Sequence, residues 1–219
     1  MAMSEETAAA AESPQPPTGR TRGRVRMKRS ALMAVPAVAV GGILMTLTAQ
    51  GVLAAQFSIS GMPFTITADK IDGEGFAQFG SLDHMIPGSP NQGKTGGQVL
   101  VAVSAIKTAE ITNLCQSVDL GGVNLLIRAG DQGTPVAASD LTTDSDLLTA
   151  GNAQFKNIEI GGDASTYTKA GPVGVGGRGV FGQQADHVTL TNVNQHNYAS
   201  TAVGFKLPNL RLSFSSKGC

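Results

Sequence analysis

The chain has 219 residues, and its 16 Lys/Arg balance 16 Asp/Glu, so the formal net charge is zero. The balance is uneven along the chain. Six of the basic residues precede position 30; after position 55 ten Lys/Arg face thirteen Asp/Glu, a net charge of about −3. That sign, with no clustered basic footprint, argues against nucleic acid as a partner.

Residues 1–30 are rich in Ala, Pro, Ser, Thr, Glu and Arg and cannot bury a core, so a disordered tail is expected. It ends in Arg20, Arg22, Arg24, Arg26, Lys28 and Arg29. An uncharged apolar run, 31–55, comes next, and no charge returns until Asp69. A basic flank before an apolar run holds its own side in the cytoplasm and sends the rest of the chain across the membrane. The run is long enough to span a bilayer as an anchor. Ala49-Gln50-Gly51 and Val52-Leu53-Ala54 also offer the small residues that signal peptidase prefers, so a cleaved signal peptide and an anchor both stay open. Either way, residues 56–219 form one domain's worth of chain expected outside the cytoplasm, anchored to the membrane or released into the envelope after cleavage near 51–55.

Within 56–219 the dominant period is two. Phe64, Ile66 and Ala68 share one strand face and Thr65 and Thr67 the other. Val99–Val103, Val123–Ile127, Val188–Leu190 and Leu210–Phe214 are further strand-like runs, separated by Gly, Asp, Asn, Ser and Pro clusters. Between them, Ser139–Leu148 is read as a short helix, with Asp140, Asp144 and Asp146 suited to caps and first turns. The glycine-rich stretch 171–182 reads as the most mobile loop of the domain.

A pattern of apolar–x–apolar–x–Asn–apolar occurs four times. The copies begin at Ala109, Ala153, Val188 and Phe205 and place Asn113, Asn157, Asn192 and Asn209 at the same point. In each, the apolar face keeps period two and then slips by one residue across the asparagine. Such a slip would turn later side chains to the wrong face unless a bulge or a corner absorbs it, and asparagine tolerates the left-handed conformation a corner needs. Bulges or bends are therefore predicted at all four asparagines. The copies are unevenly spaced, which disfavours a solenoid with fixed rungs. The expected fold is all-β, a single bulged sandwich or jelly-roll-like domain, with an irregular β-helix as the alternative. A second echo links Ala68-Asp69-Lys70-Ile71 to Ala185-Asp186-His187-Val188 and is read as a strand-edge turn.

The two cysteines, Cys115 and Cys219, form an even pair, which in an oxidising compartment suggests a disulfide; two separately buried thiols are the alternative.

Chemistry-bearing motifs are sparse. No serine sits in a G-x-S-x-G elbow, and Ser60 lacks the glycine two residues earlier. His84, His187 and His196 are the three histidines. Asp186 beside His187 makes a poor base and orienter, because neighbours on a strand point to opposite faces. No metal spacing is present: the histidines lack zinc partners, and Asp140, Asp144 and Asp146 lack the EF-hand pattern and read as a solvated acidic turn. Gly174-Val-Gly176-Gly-Arg-Gly179 matches a dinucleotide fingerprint literally but has no βαβ unit around it. No catalytic, cofactor or metal residue is assigned, and no cofactor is expected.

Several segments are familiar together: Ala-Gln-Gly-Val-Leu-Ala-Ala (49–55), Phe-Ser-Ile-Ser-Gly (57–61), Ala-Asp-Lys-Ile-Asp-Gly (68–73), Gly-Phe-Ala-Gln-Phe-Gly (75–80), Thr-Asn-Leu-Cys-Gln-Ser-Val (112–118), Phe-Lys-Asn-Ile-Glu-Ile-Gly (155–161) and Phe-Gly-Gln-Gln-Ala-Asp (181–186). They resemble an actinobacterial family of exported proteins of unknown function, DUF6230. Its members often carry the label "cholesterol esterase", which nothing in these residues supports. The resemblance brings no catalytic residues; it implies a small multi-span membrane protein as partner. The alternating units Phe64–Ile71 and Asp186–Val193 also resemble in texture the periplasmic lipopolysaccharide-transport proteins, open β jelly rolls with an apolar interior.

Three functional readings are open. The first is a non-enzymatic envelope protein that binds or passes a lipid or another apolar ligand; it predicts an apolar cleft between β layers. The second is a structural or assembly module docking onto a membrane protein. The third, an ester hydrolase, needs a nucleophile within reach of a base.

Overall fold

The computed structural model describes residues 58–93 and 95–219; the basic tail 1–30 and the apolar segment 31–55 lie outside the described residues. Among the described residues no helix is long and apolar enough to cross a membrane. The fold is all-β. Its strands are β1 (Ser58–Ile59), β2 (Phe64–Met85), β3 (Gln98–Thr112), β4 (Leu114–Asp119), β5 (Asn124–Ala129), β6 (Val136–Thr149), β7 (Asn152–Lys156), β8 (Glu159–Asp163), β9 (Phe181–Thr201), β10 (Gly204–Lys206) and β11 (Arg211–Ser215). They form one sheet in the order β11-β5-β4-β2-β3-β6-β9-β7, with β2 also paired to β9. The four long strands β2, β3, β6 and β9 therefore close a ring. Every pairing is antiparallel except β1 on the end of β2.

Strands of 22 and 21 residues, as in β2 and β9, exceed the usual three to ten. Corners make them possible. Buried residues in β2 run Ile66, Ala68, then Ile71, then Phe76. In β9 they run Ala185, Val188, Leu190, Val193. A straight strand returns to one face every second residue, so each gap of three marks a turn of the backbone. The same gap separates Ile106 from Ala109, Ile111 from Leu114, and Ala138 from Leu141.

A left-handed φ recurs at the corners. The four asparagines take it: Asn113 at 55°, Asn157 at 50°, Asn192 at 50° and Asn209 at 55°. Asp140 (47°) and Gly75 (69°) play the same part in β6 and β2. Asp69 faces both Asn113 and Asn192. The register is unbroken around it, with Lys70 opposite Thr112 and Thr191, Thr67 opposite Cys115, and Ala68 opposite Val193. No residue is gained or lost there, so these are corners, not bulges. Asp186 likewise faces Asn157, between Lys156↔His187 and Glu159↔Gln184. The Ala-Asp echo thus marks the strand that partners a left-handed asparagine.

Three expectations are corrected. Ser139–Leu148 belongs to β6 and is no helix: Leu141, Thr143 and Ser145 are buried at period two. Its aspartates are therefore not caps. Nor do they form one solvated turn: Asp140 is a corner, Asp144 meets Asp83, and Asp146 bonds His196. The stretch 171–182 is not a loose loop. With the 3₁₀ turns Ala164–Thr166 and Gly171–Gly174 it covers the outer face of β2 and β3, burying Ala77, Ala105, Tyr167 and Ala170. A Cβ on Gly176 would stand 2.6 Å from Ala164 and 2.8 Å from Phe79, so glycine here permits close approach.

Cys115 and Cys219 are bonded, across a separation of 104 residues. The bond clips the C-terminal tail to β4, beside β5 and the edge strand β11. The Cys219 amide also donates to Ser117 Oγ at 3.0 Å.

Candidate functional site

The corners divide the long strands into a floor and two walls around one interior. Directly opposed residues of an antiparallel sheet share a face, so its lining can be read row by row. One floor row runs Ala153, Leu190, Ile71, Ile111 and Val136 across β7, β9, β2, β3 and β6. The next runs Phe155, Val188, Gly73, Ala109, Ala138 and Phe205, so that small residues in the middle are closed by a phenylalanine at each end. Next to the floor, one wall offers Ala68 and Leu114 and the other Phe76, Ile106 and Leu141. Phe76 and Phe155 meet at a tilt, with ring centroids 5.4 Å apart.

Of these, Ala153, Leu190, Ile71, Ile111, Phe155, Phe205, Leu114, Phe76, Ile106 and Leu141 line a partly open cavity of about 210 Å³. Its lower part is aliphatic and aromatic. Its upper part is a collar of amides and hydroxyls. On one wall Gln183, Gln78, Ser104, Thr143 and Ser200 form a single row. Gln183 Nε2 donates to Gln78 Oε1 at 2.7 Å, and Gln78 Nε2 donates to Ser104 Oγ at 2.8 Å. On the other wall Gln116 and Gln195 flank Ile66. No charged side chain lines the cavity among the described residues.

The apolar surface continues past the mouth. Gln116 opposes Ile127, which opposes Leu212; Val118 opposes Leu125, which opposes Phe214. Leu212 and Phe214 on the edge strand are 61% and 66% exposed.

The sites weighed from sequence lie elsewhere. His187 is held by Asp72 at 3.0 Å, not by Asp186, and Thr189 donates to the same carboxylate. Lys70 lies 2.6 Å from Asp72 and, with His187 and Thr189, keeps its carboxyl below the usual range against the effect of burial. His196 bonds Asp146 at 2.6 Å, and His84 bonds Gln98 at 3.3 Å. No serine hydroxyl is hydrogen-bonded to any of the three among the described residues, nor do three or more His, Cys, Asp or Glu gather there at metal-binding distance. The four asparagines are corner residues: Asn157 Nδ2 donates to Asp186 and Asn209 Nδ2 to the Asp131 carbonyl. Cys115 and Cys219 staple the wall that carries Gln116.

One acidic pair stands out. Asp144, next to Thr143 on β6, is pushed up to about 7, first by burial and then by the charge of Asp83 and the hydrogen bond between them. Burial raises Asp83 as well. The two carboxyls meet where the closing strand β6 comes beside the C-terminal end of β2.

Sequence reasoning misses the lining residues, although a signal exists. Counted inward from the corners, Gln78, Gln116, Gln183 and Gln195 fall on the buried phase, where an amide is unusual.

Neither the curated proteins nor the solved structures contain a match to this chain. A family described as "Family of unknown function (DUF6230)" matches residues 60–219, well over half of the chain. The chain belongs to that family.

Proposed function

We propose that the domain is a non-enzymatic envelope protein that holds an apolar ligand, on the outer side of the membrane, inside its folded sheet. The observation that carries this reading is the cavity of about 210 Å³ with an aliphatic and aromatic floor. Protein interiors are close-packed, and space of this size among well-formed strands is uncommon unless something fills it. It is smaller than a typical drug-sized site, so it suits one short chain or the end of a longer one. The basic and apolar segments before residue 56 support export and a membrane address for such a ligand.

The test is native mass spectrometry of the full chain purified from its own envelope, followed by organic extraction. One apolar molecule per chain supports the reading, and Ala153→Trp, which projects into the floor, should abolish it. A chain that carries nothing, and that takes up no apolar compound when offered, sinks it.

A second reading has one observation of its own. Leu212 and Phe214 are exposed on an edge strand, which suits an assembly module that docks onto a membrane protein. Cross-linking from a reactive group placed at Ser213 would show such a partner.

A further inference from the structure

Resting on the apolar-ligand reading above, we infer the chemical class of the ligand: an uncharged amphiphile, its hydrocarbon on the floor and its hydroxyl, ester or amide head among the glutamines of the collar.

Two features of the lining carry this. The first is what the cavity lacks. None of its residues is Asp, Glu, Lys, Arg or His among the described residues. A carboxylate, phosphate or ammonium placed there would leave water without a counter-charge to offset its desolvation. An uncharged head escapes that penalty.

The second is what the collar offers. Gln195 lines the cavity and is 4% exposed. A buried amide left unpaired costs free energy, and a ligand that pairs it recovers that cost. On the same face of β9, two residues on, Asn197 is fully buried. Its Oδ1 accepts from Ser145 at 2.6 Å, while its Nδ2 has no acceptor. On the facing wall the Gln183–Gln78–Ser104 chain is already ordered. Each amide presents both donor and acceptor. A head that both donates and accepts, as a hydroxyl or a monoester glycerol does, matches such a collar better than a bare ion.

The test compares probes of one chain length on the full chain held in an amphipathic polymer, by calorimetric titration at pH 8. The probes are decanol, monodecanoylglycerol, decanoate, decyl phosphate and decyltrimethylammonium, with decane as the control that has no head. The expected result is that the two neutral amphiphiles bind at least tenfold more tightly than the three ions. Gln195→Leu, close in volume, should weaken monodecanoylglycerol by roughly five- to tenfold, about the worth of one hydrogen bond, without weakening decane. Ions binding as tightly as the neutral probes would overturn the inference while leaving the apolar-ligand reading in place. Failure of every probe, decane included, would overturn both. The wild-type comparison does not depend on any variant folding.

Discussion

Asn157 Nδ2 donates to the Asp186 carboxylate at 2.6 Å, and Asn113 Nδ2 donates in the same way to Asp69. In both pairs the asparagine is left-handed and the aspartate sits opposite it on the neighbouring long strand. Two strands paired by backbone hydrogen bonds have to turn together at a corner. The side-chain bond across the pair ties the turn of one to the turn of the other. Lys169 reinforces the second pair, at 2.9 Å from Asp186 and 2.6 Å from the Asn157 carbonyl.

Backbone and side-chain contributions at a corner are separable. Asn157→Gly keeps the left-handed conformation and loses the bond; Asn157→Ala loses both. The alanine variant should be less stable than the glycine variant by about 1 kcal/mol, the usual cost of a left-handed β-carbon. The same ordering is expected at Asn113. Urea denaturation of the four variants checks this, and equal midpoints for Ala and Gly would show that the corners do not depend on the left-handed residue.

Much of this is legible in the sequence because corners leave a periodic trace. A slip from period two, at an asparagine, shows in Ala109–Leu114 and Val188–Val193, and each marks a left-handed residue in the structure. The aspartate of the Ala-Asp echo is visible too, but its role is not, since the partner lies 44 residues away for Asp69 and 29 for Asp186. β6 is misread from sequence because Asp140, Asp144 and Asp146 look like helix caps. They are a corner, a buried acid and a histidine partner, three environments that only tertiary contacts distinguish. The cavity is illegible as a place: its floor needs five strands in register, and the sequence shows each of them only as an apolar run.

The glycine-rich cover should behave as packed structure. A Cβ on Gly174 would lie 2.5 Å from the Cβ of Ala170 and 3.0 Å from that of Ala77. Neither neighbour is a flexible chain end. Gly174→Ala should therefore destabilise by about 1–3 kcal/mol, as overpacking does, although its φ suits any residue. Gly179 has φ of 75° but open space around its Cβ position, so Gly179→Ala should cost only its backbone strain, about 1 kcal/mol. Thermal melts of both variants give the comparison, and a Gly174→Ala protein as stable as wild type would return the segment to the status of a loose loop.

Tyr167 anchors that cover. It is 1% exposed, and its hydroxyl donates to the Gly162 carbonyl at 3.0 Å. Tyr167→Phe removes that bond and should cost about 1 kcal/mol, whereas Tyr167→Ala adds a cavity and should cost about 3–5 kcal/mol. If the Ala variant melts with the Phe variant, the cover is not part of the cooperative unit.

The disulfide acts on the weakest part of the sheet. β11 is an edge strand, exposed on both faces along Arg211–Phe214; it pairs with β5, and the tail that continues it is clipped to Cys115. For a loop of 104 residues the chain-entropy account gives about 4–5 kcal/mol. Cys219→Ser should lower the denaturation midpoint by that order. Amide exchange should also rise first in β11 and β5 and last in β2 and β9. Uniform exchange across all strands would show that the bond stabilises the whole domain and not its edge.

The Asp83–Asp144 pair predicts an unusual pH dependence near neutrality. Asp144 is raised to about 7 from an unfolded value of 3.8, so the folded state holds a proton that the unfolded state releases. A raised carboxyl contributes stability that is fully present below the unfolded value and is lost as pH rises through the folded one. The window is therefore pH 4 to 7, and stability should fall across it. Asp72, whose carboxyl is lowered, has the opposite sign: its contribution disappears as pH falls below 4, which separates the two effects. Asp144→Asn keeps a hydrogen-bond donor toward Asp83 and removes the titration. Its stability should be flatter from pH 4 to 7 and exceed that of wild type at pH 8. Because β6 closes the ring beside the cavity wall, wild-type ligand affinity should weaken over the same window and the Asn variant should hold it. Denaturation midpoints measured every half unit for the two proteins decide the matter: parallel curves would mean that the pair carries no shared proton.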